Sequence, residues 1–147
     1  MHYVSIILLL LSFNSIANEE VDLYKALNDR INYCNALSDR NIVITKDAYF
    51  DSLNTRQKTT AILMLYSIAV DRCNAYEESR YLKAVIRNKS KVTLNALSGL
   101  YNTGKDTEEE KKIIKSLDIK EIERLSHSEM FYLPFNPMDL TDKLEIY

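Results

Sequence analysis

The chain holds two cysteines, Cys34 and Cys73, two histidines, and 21 Asp and Glu residues. The spacing of these groups decides what chemistry is open to it. The cysteines are too far apart for a CxxC redox pair, and two thiols without a His set make a poor zinc site. In an exported chain such a pair reads as a disulfide, the alternative being two buried free thiols. Closing a loop of roughly 40 residues in this way stabilises a fold by about 4 kcal/mol in the chain-entropy account.

His127 lies between Ser126 and Ser128, and His2 falls in the N-terminal segment. A nucleophile–base pair needs a third group to orient the base, and sequence neighbours at a helix end do not supply it. His127 therefore reads as a helix C-terminal residue that favours the helix dipole when protonated. Two carboxylates could serve as acid and base, but none stands in an apolar stretch that would raise its pKa; Asp71 comes nearest. There is no HExxH, phosphate-binding glycine loop, EF-hand spacing or nucleophile elbow, and Gly104-Lys105 lacks the rest of a phosphate loop. No catalytic residue, metal ligand or cofactor is assigned. Asn88-Lys89-Ser90 matches a glycosylation acceptor triplet.

The segment EMFYLPFNPMDLTDKLEIY at the C-terminus concentrates both prolines and several aromatics. Aromatic and Met side chains are favoured at interface centres, which makes Phe131, Tyr132, Phe135 and Met138 the candidate partner-binding set. Closure of a seam over the protein's own helices would use the same residues. The prolines exclude a helix interior, so an irregular, partly extended tail is expected.

Composition narrows the classes further. The 147 residues are 46% hydrophobic and 27% charged, with net charge −2. Wholesale disorder is excluded, and no basic footprint supports nucleic-acid binding. Two Gly and two Pro are few for a sandwich or barrel.

Val4 to Phe13 is an apolar run of signal-peptide length, followed by Ser15-Ile16-Ala17 and then Glu19 and Glu20. This predicts a secretory signal cleaved after Ala17, although the leading residues contain no Lys or Arg. A run of about ten apolar residues is too short to span a bilayer, and no Cys stands at the cleavage position for a lipid anchor. The alternatives are a buried N-terminal helix or a membrane anchor.

These residues must be positioned by helices. Leu23, Leu27, Ile31 and Cys34 predict a first helix from about Glu19 to Leu37, with Asp39 and Arg40 facing outward or capping its end. Thr45 reads as the N-cap of a short helix through Leu53, with Ile44 and Tyr49 at staple spacing. Asn54 and Gln57 form a capping box for a central helix over about 55–74. Its stretch Ala61 to Val70 lacks any charge, so the helix is expected to be apolar on nearly every side and surrounded by others. Asn74 to Glu77 either opens a further helix to Asn88 or lies within one continuous helix. Another helix is expected over Lys91–Tyr101, and boxes at Asp106–Glu109 and Asp118–Glu121 open two more. These would bury Ile113, Ile114 and Leu117, then Ile119, Ile122 and Leu125. In Glu108-Glu109-Glu110-Lys111-Lys112 the acids precede the bases, which suits the dipole and offers i,i+3 pairs.

Leu97, Ser98, Tyr101 and Gly104, followed by EEEKKIIKSL, resemble one tetratricopeptide unit over about 25 residues. Glu110 stands where that motif takes a small Ala, and no second copy lies about 34 residues upstream. No family follows from it.

The reading is an all-α bundle of five to seven helices around a central buried helix, with one disulfide and an irregular Pro-containing tail. Residues 1–17 are the signal and 18–147 one helical domain. The expected function is non-catalytic binding of another exported protein, inhibitor-like, immunity-like or accessory, in the periplasm or outside the cell. No nucleic acid and no stable membrane insertion are expected. The alternatives are a structural envelope-accessory protein without a tight partner, and a hydrolase whose carboxylates only the fold brings together.

Overall fold

Local capping sets most of the helix boundaries. At Asn54, the backbone N–H donates to Gln57 Oε1 at 3.2 Å while Gln57 N–H donates to Asn54 Oδ1 at 3.0 Å. This reciprocal box starts the central helix at Thr55, where the spacing placed it. In the computed structural model, backbone is described for residues 3–91, 93, 95 and 107–146, and side chains for the same set from residue 19 onward.

Six helices are present among the described residues: α1 (Tyr3–Leu37), α2 (Ala48–Ser52), α3 (Thr55–Arg87), α4 (Glu108–Ser116), α5 (Ile119–Ser126) and α6 (Pro137–Lys143). None is long and apolar enough to cross a membrane. The expected helix over Lys91–Tyr101, its stop signal and the tetratricopeptide-like residues before Thr107 lie outside the described residues, apart from positions 91, 93 and 95.

The central helix is continuous through Asn74 to Arg87, so the Asn74–Glu77 pattern starts nothing new. It ends in a Schellman motif, with Ser90 N–H bonded to the Val85 carbonyl at 3.2 Å and Lys89 N–H to that of Ile86 at 3.1 Å. Lys89 fills the left-handed position, φ 51°, where glycine is usual. The chain repeats the device after α6. There Glu145 has φ 51°, and Ile146 N–H reaches the Thr141 carbonyl at 3.1 Å. That turn folds the Ile146 side chain back into the core.

The chain forms two compact units, one of Met1–Ile31 and Ala75–Gly104, the other of Asn32–Asn74 and Lys105–Tyr147. In the first, Tyr81, Ala84 and Val85 are buried and Tyr24 packs on Tyr81 with ring centroids 5.6 Å apart. Arg87 pairs with Glu19 at 2.6 Å and holds that carboxyl below the usual range. Asn88 Nδ2 donates to Glu20 Oε2 at 3.1 Å. Burial, reinforced by the Glu20 carboxylate, raises the pKa of the Tyr81 hydroxyl.

The second unit carries the larger core. Ile62 and Leu65 of α3, Phe50 of α2, Ile122 and Leu125 of α5, Leu140 of α6, and Phe131 and Phe135 between α5 and α6 form one buried cluster. Burying each such side chain contributes about 1.5–3 kcal/mol before entropy is subtracted. Cys34 and Cys73 are joined, as the pairing predicts, with Cα atoms 6.1 Å apart.

Several boundaries and faces differ from those expected. The N-cap of α2 is Asp47, which accepts from Tyr49 and Phe50 N–H at 3.1 Å each. An Asp cap that can also bind Arg124 outcompetes Thr45, and Ile44 is left exposed rather than stapled. The α4 box is Thr107–Glu110, one residue later than expected, with Glu110 N–H donating to Thr107 Oγ1 at 3.2 Å. Asp118 caps α5, but Glu121 turns to Arg124 instead of closing the box, and Ile119 is exposed. Lys111 pairs with Glu108 at 2.8 Å. The central helix is not enclosed on every side: Thr59, Leu63, Ser67 and Asp71, four residues apart, form an exposed stripe. The tail is irregular to Asn136 and then forms α6, because Pro137 occupies the first helical position, where its missing N–H costs nothing.

Candidate functional site

The tail is held by two arginines through its backbone. After α1, the N–H groups of Ser38, Asp39 and Arg40 bond to the carbonyls of Asn35, Ala36 and Leu37, which tightens the chain and turns Arg40 inward. Arg40 Nη2 donates to the Met130 carbonyl at 2.7 Å and to that of Leu133 at 3.4 Å, while Nε donates to that of Pro134 at 3.2 Å. This corrects the expectation that Arg40 faces outward or caps the end of α1: its guanidinium reaches the tail carbonyls instead. Carbonyls of an irregular segment need donors, and a guanidinium fork supplies several from one side chain. Burial lowers the Arg40 pKa, and the nearby Glu129 carboxylate works against that.

Arg72, on α3, reaches the same segment from another element. Its Nη1 donates to the carbonyls of Ser126 at 2.9 Å and Tyr132 at 3.0 Å, and Nη2 donates to Ser126 Oγ at 3.1 Å. The guanidinium also stacks over the Tyr132 ring at 4.7 Å.

This arrangement separates the four predicted tail residues. Phe131 and Phe135 are buried in the core, where Phe131 packs on Phe50 at 5.9 Å and Phe135 on Tyr66 at 5.9 Å. In this packing neither presents a surface to a partner. Tyr132 lies half-exposed beneath Arg72. Met138, in the first turn of α6, is 77% exposed. The structure therefore does not bring the four together on one surface. Seam closure accounts for the two phenylalanines, and Met138 remains outside.

Met138 faces a groove between α3 and α6, lined by Thr59, Ile62, Leu63, Pro137, Thr141 and Asp142, with a volume of about 220 Å³. Leu63, on the opposite wall, is 54% exposed. Two large apolar side chains thus flank an open groove floored by the core residue Ile62. Its walls are ordered by the core on one side and by the Asn136 cap on the other, where Asn136 Oδ1 accepts from Met138 N–H at 3.0 Å. Such a concave apolar surface can take an apolar side chain from a partner. The Thr141 hydroxyl on its rim donates to the Pro137 carbonyl at 2.8 Å.

Leu63 belongs to the uncharged stretch expected to be buried with Ile62 and Leu65, and the structure corrects this: it stands exposed on the groove wall. It is the apolar member of an i,i+4 row that otherwise reads Thr59, Ser67 and Asp71, the pattern of a solvent face. The roles of Arg40 and Arg72 had no local signal, since both depend on a segment more than 50 residues away. His127 is exposed at the C-cap of α5, as its position suggested, and Asp71 is exposed on α3. Among the described residues, no three His, Cys, Asp or Glu side chains converge as metal ligands would.

Compared with protein-family models, curated proteins and solved structures, the chain gives no match.

Proposed function

We propose that this protein is exported and acts by non-catalytic binding of another exported protein, with the α3–α6 groove as the contact surface. The observation that carries the reading is the pairing of Leu63 and Met138 across that groove, both more than half exposed on walls fixed by buried neighbours. Apolar side chains set on a rigid frame bind at low ordering cost, because the surface is already in its binding shape. The apolar run Val4 to Phe13 and the disulfide favour an oxidising compartment.

The test uses the oxidised full chain to capture partners from the exported fraction, followed by direct titration of each captured protein. Leu63→Glu and Met138→Glu should each weaken the measured affinity at least tenfold, the loss of about 1.4 kcal/mol expected when a charge enters an apolar contact. Unchanged affinity in both variants, or failure to capture any partner, overturns the groove reading. Export is checked separately with a reporter carrying residues 1–20; a reporter that stays in the cytosol rejects it.

A further inference from the structure

Cys34 is the only fully buried side chain among the described residues of α1, and no described residue of α1 belongs to the core cluster of the second unit. The end of α1 nevertheless does two things there. It leads, through three consecutive backbone hydrogen bonds, to Arg40 and its three carbonyl partners in the tail. Through Asn35 and Ser38 it also walls a hollow of about 260 Å³ whose other lining includes Tyr66 and Phe135. Ser38 Oγ donates to the Cys34 carbonyl at 3.4 Å, so this turn is built directly on the cysteine.

We infer that the Cys34–Cys73 disulfide is a redox latch on this wall: reducing it releases the end of α1, withdraws Arg40 from the tail and uncovers the Tyr66–Phe135 pair. The core around Ile62, Leu65, Ile122 and Leu125 stays intact, because none of its members comes from α1; Ile42, the core member next along the chain, stays in place and bounds the released segment at Asn41. Arg72 stays on Ser126 and Tyr132, because it belongs to α3. The result is a local opening, not unfolding.

The reaction partner is a dithiol reductant of the thiol–disulfide exchange class. Its thiolate attacks Cys73 Sγ, the cysteine with the greater exposure at 9% against 1% for Cys34. The Sγ–Sγ bond breaks and Cys34 leaves as a thiolate that takes up a proton. The second thiol of the reductant then displaces Cys73, which is protonated in turn. Two electrons have moved, leaving two protein thiols and one reductant disulfide. The latch is independent of whether the α3–α6 groove takes a partner.

Amide hydrogen exchange of the full chain, oxidised and after dithiothreitol reduction, tests it. Reduction should accelerate exchange roughly tenfold or more in peptides covering 34–41 and 130–136, while 61–66 and 119–126 keep their protection. Oxidised Arg40→Ala provides the second arm, with faster exchange at 130–136 but not at 34–38. Unchanged exchange at 130–136 on reduction overturns the latch. So does loss of protection in all four segments, which would make the disulfide a staple for the whole fold.

Discussion

Arg72 stacks on the Tyr132 ring at 4.7 Å and, with the same guanidinium, donates to the Tyr132 carbonyl at 3.0 Å. One side chain thus fixes both the ring and the backbone of a residue 60 positions further along the chain. The irregular segment between α5 and α6 has no ladder or helix to satisfy its carbonyls, and arginine from α3 takes that part.

Arg72→Ala should therefore destabilise the protein by about 2–3 kcal/mol, since it leaves the Ser126 and Tyr132 carbonyls short of donors and removes the stack. Arg72→Lys should recover little of this, because an ammonium cannot make three bonds in the fork geometry. Urea unfolding midpoints at constant m-value measure both; equal midpoints for wild type and Arg72→Ala reject the clamp.

The tail residues should separate by burial. Phe131→Ala removes a ring packed against Phe50 and Phe135 and should cost about 3–5 kcal/mol. Met138→Ala, on the open groove wall, should stay within about 0.5 kcal/mol. Thermal or denaturant unfolding of the two variants side by side checks the contrast, which equal costs would contradict.

Asp47 gives the protein an acid-sensitive joint. The bond from Arg124 holds its carboxyl below the usual range, burial opposes this, and the Phe50 and Tyr49 N–H groups lower it further. A folded pKa below the unfolded value of about 3.9 means that the pairing stabilises fully above that pH and is lost as pH falls through the lower folded value. Unfolding free energy should fall as pH drops below about 4, and Asp47→Asn, which keeps the cap but not the charge, should flatten that limb. A residual slope remains from Glu110, held below the usual range by Thr107, and from Glu19. An acid limb as steep in Asp47→Asn as in wild type would count against this assignment.

At Lys89 the left-handed backbone burdens a residue with a Cβ atom. Lys89→Gly should stabilise by about 0.5–1 kcal/mol, the left-handed penalty less the extra entropy of glycine in the unfolded chain. Glu145→Gly should act in the same direction. A lowered melting temperature in both variants would contradict the conformational reading.

Local chemistry was legible in the sequence. Asn54 and Gln57 set the start of the central helix because both partners of the box lie within one turn. The row Leu23, Leu27, Ile31 and Cys34 gave the inward stripe of α1 by periodicity alone, with Cys34 its buried member. Two cysteines allow only one pairing within the chain, so the sequence left a choice between that bridge and two free thiols, and the structure shows the bridge. Errors of one or two residues, at Thr45 against Asp47 and at Asp106 against Thr107, arose where neighbouring residues could cap equally well. There, a distant side chain such as Arg124 broke the tie between Thr45 and Asp47.

The sequence by itself determined the helical class, the starts of α3 and α5 and the one pairing open to the cysteines, because capping, periodicity and cysteine count act over a few residues or depend on composition. It did not place α6, or the start of α1, which lies at Tyr3 instead of Glu19. Only the tertiary structure decided which apolar residues were left over. Phe135 and Met138 are three positions apart and both apolar, yet one is fully buried and the other faces an open groove. The difference lies in what α3 sets opposite each of them: Tyr66 against Phe135, and a solvent stripe carrying Leu63 beside Met138. Long-range packing makes that choice, through contacts between residues about 70 positions apart in the chain.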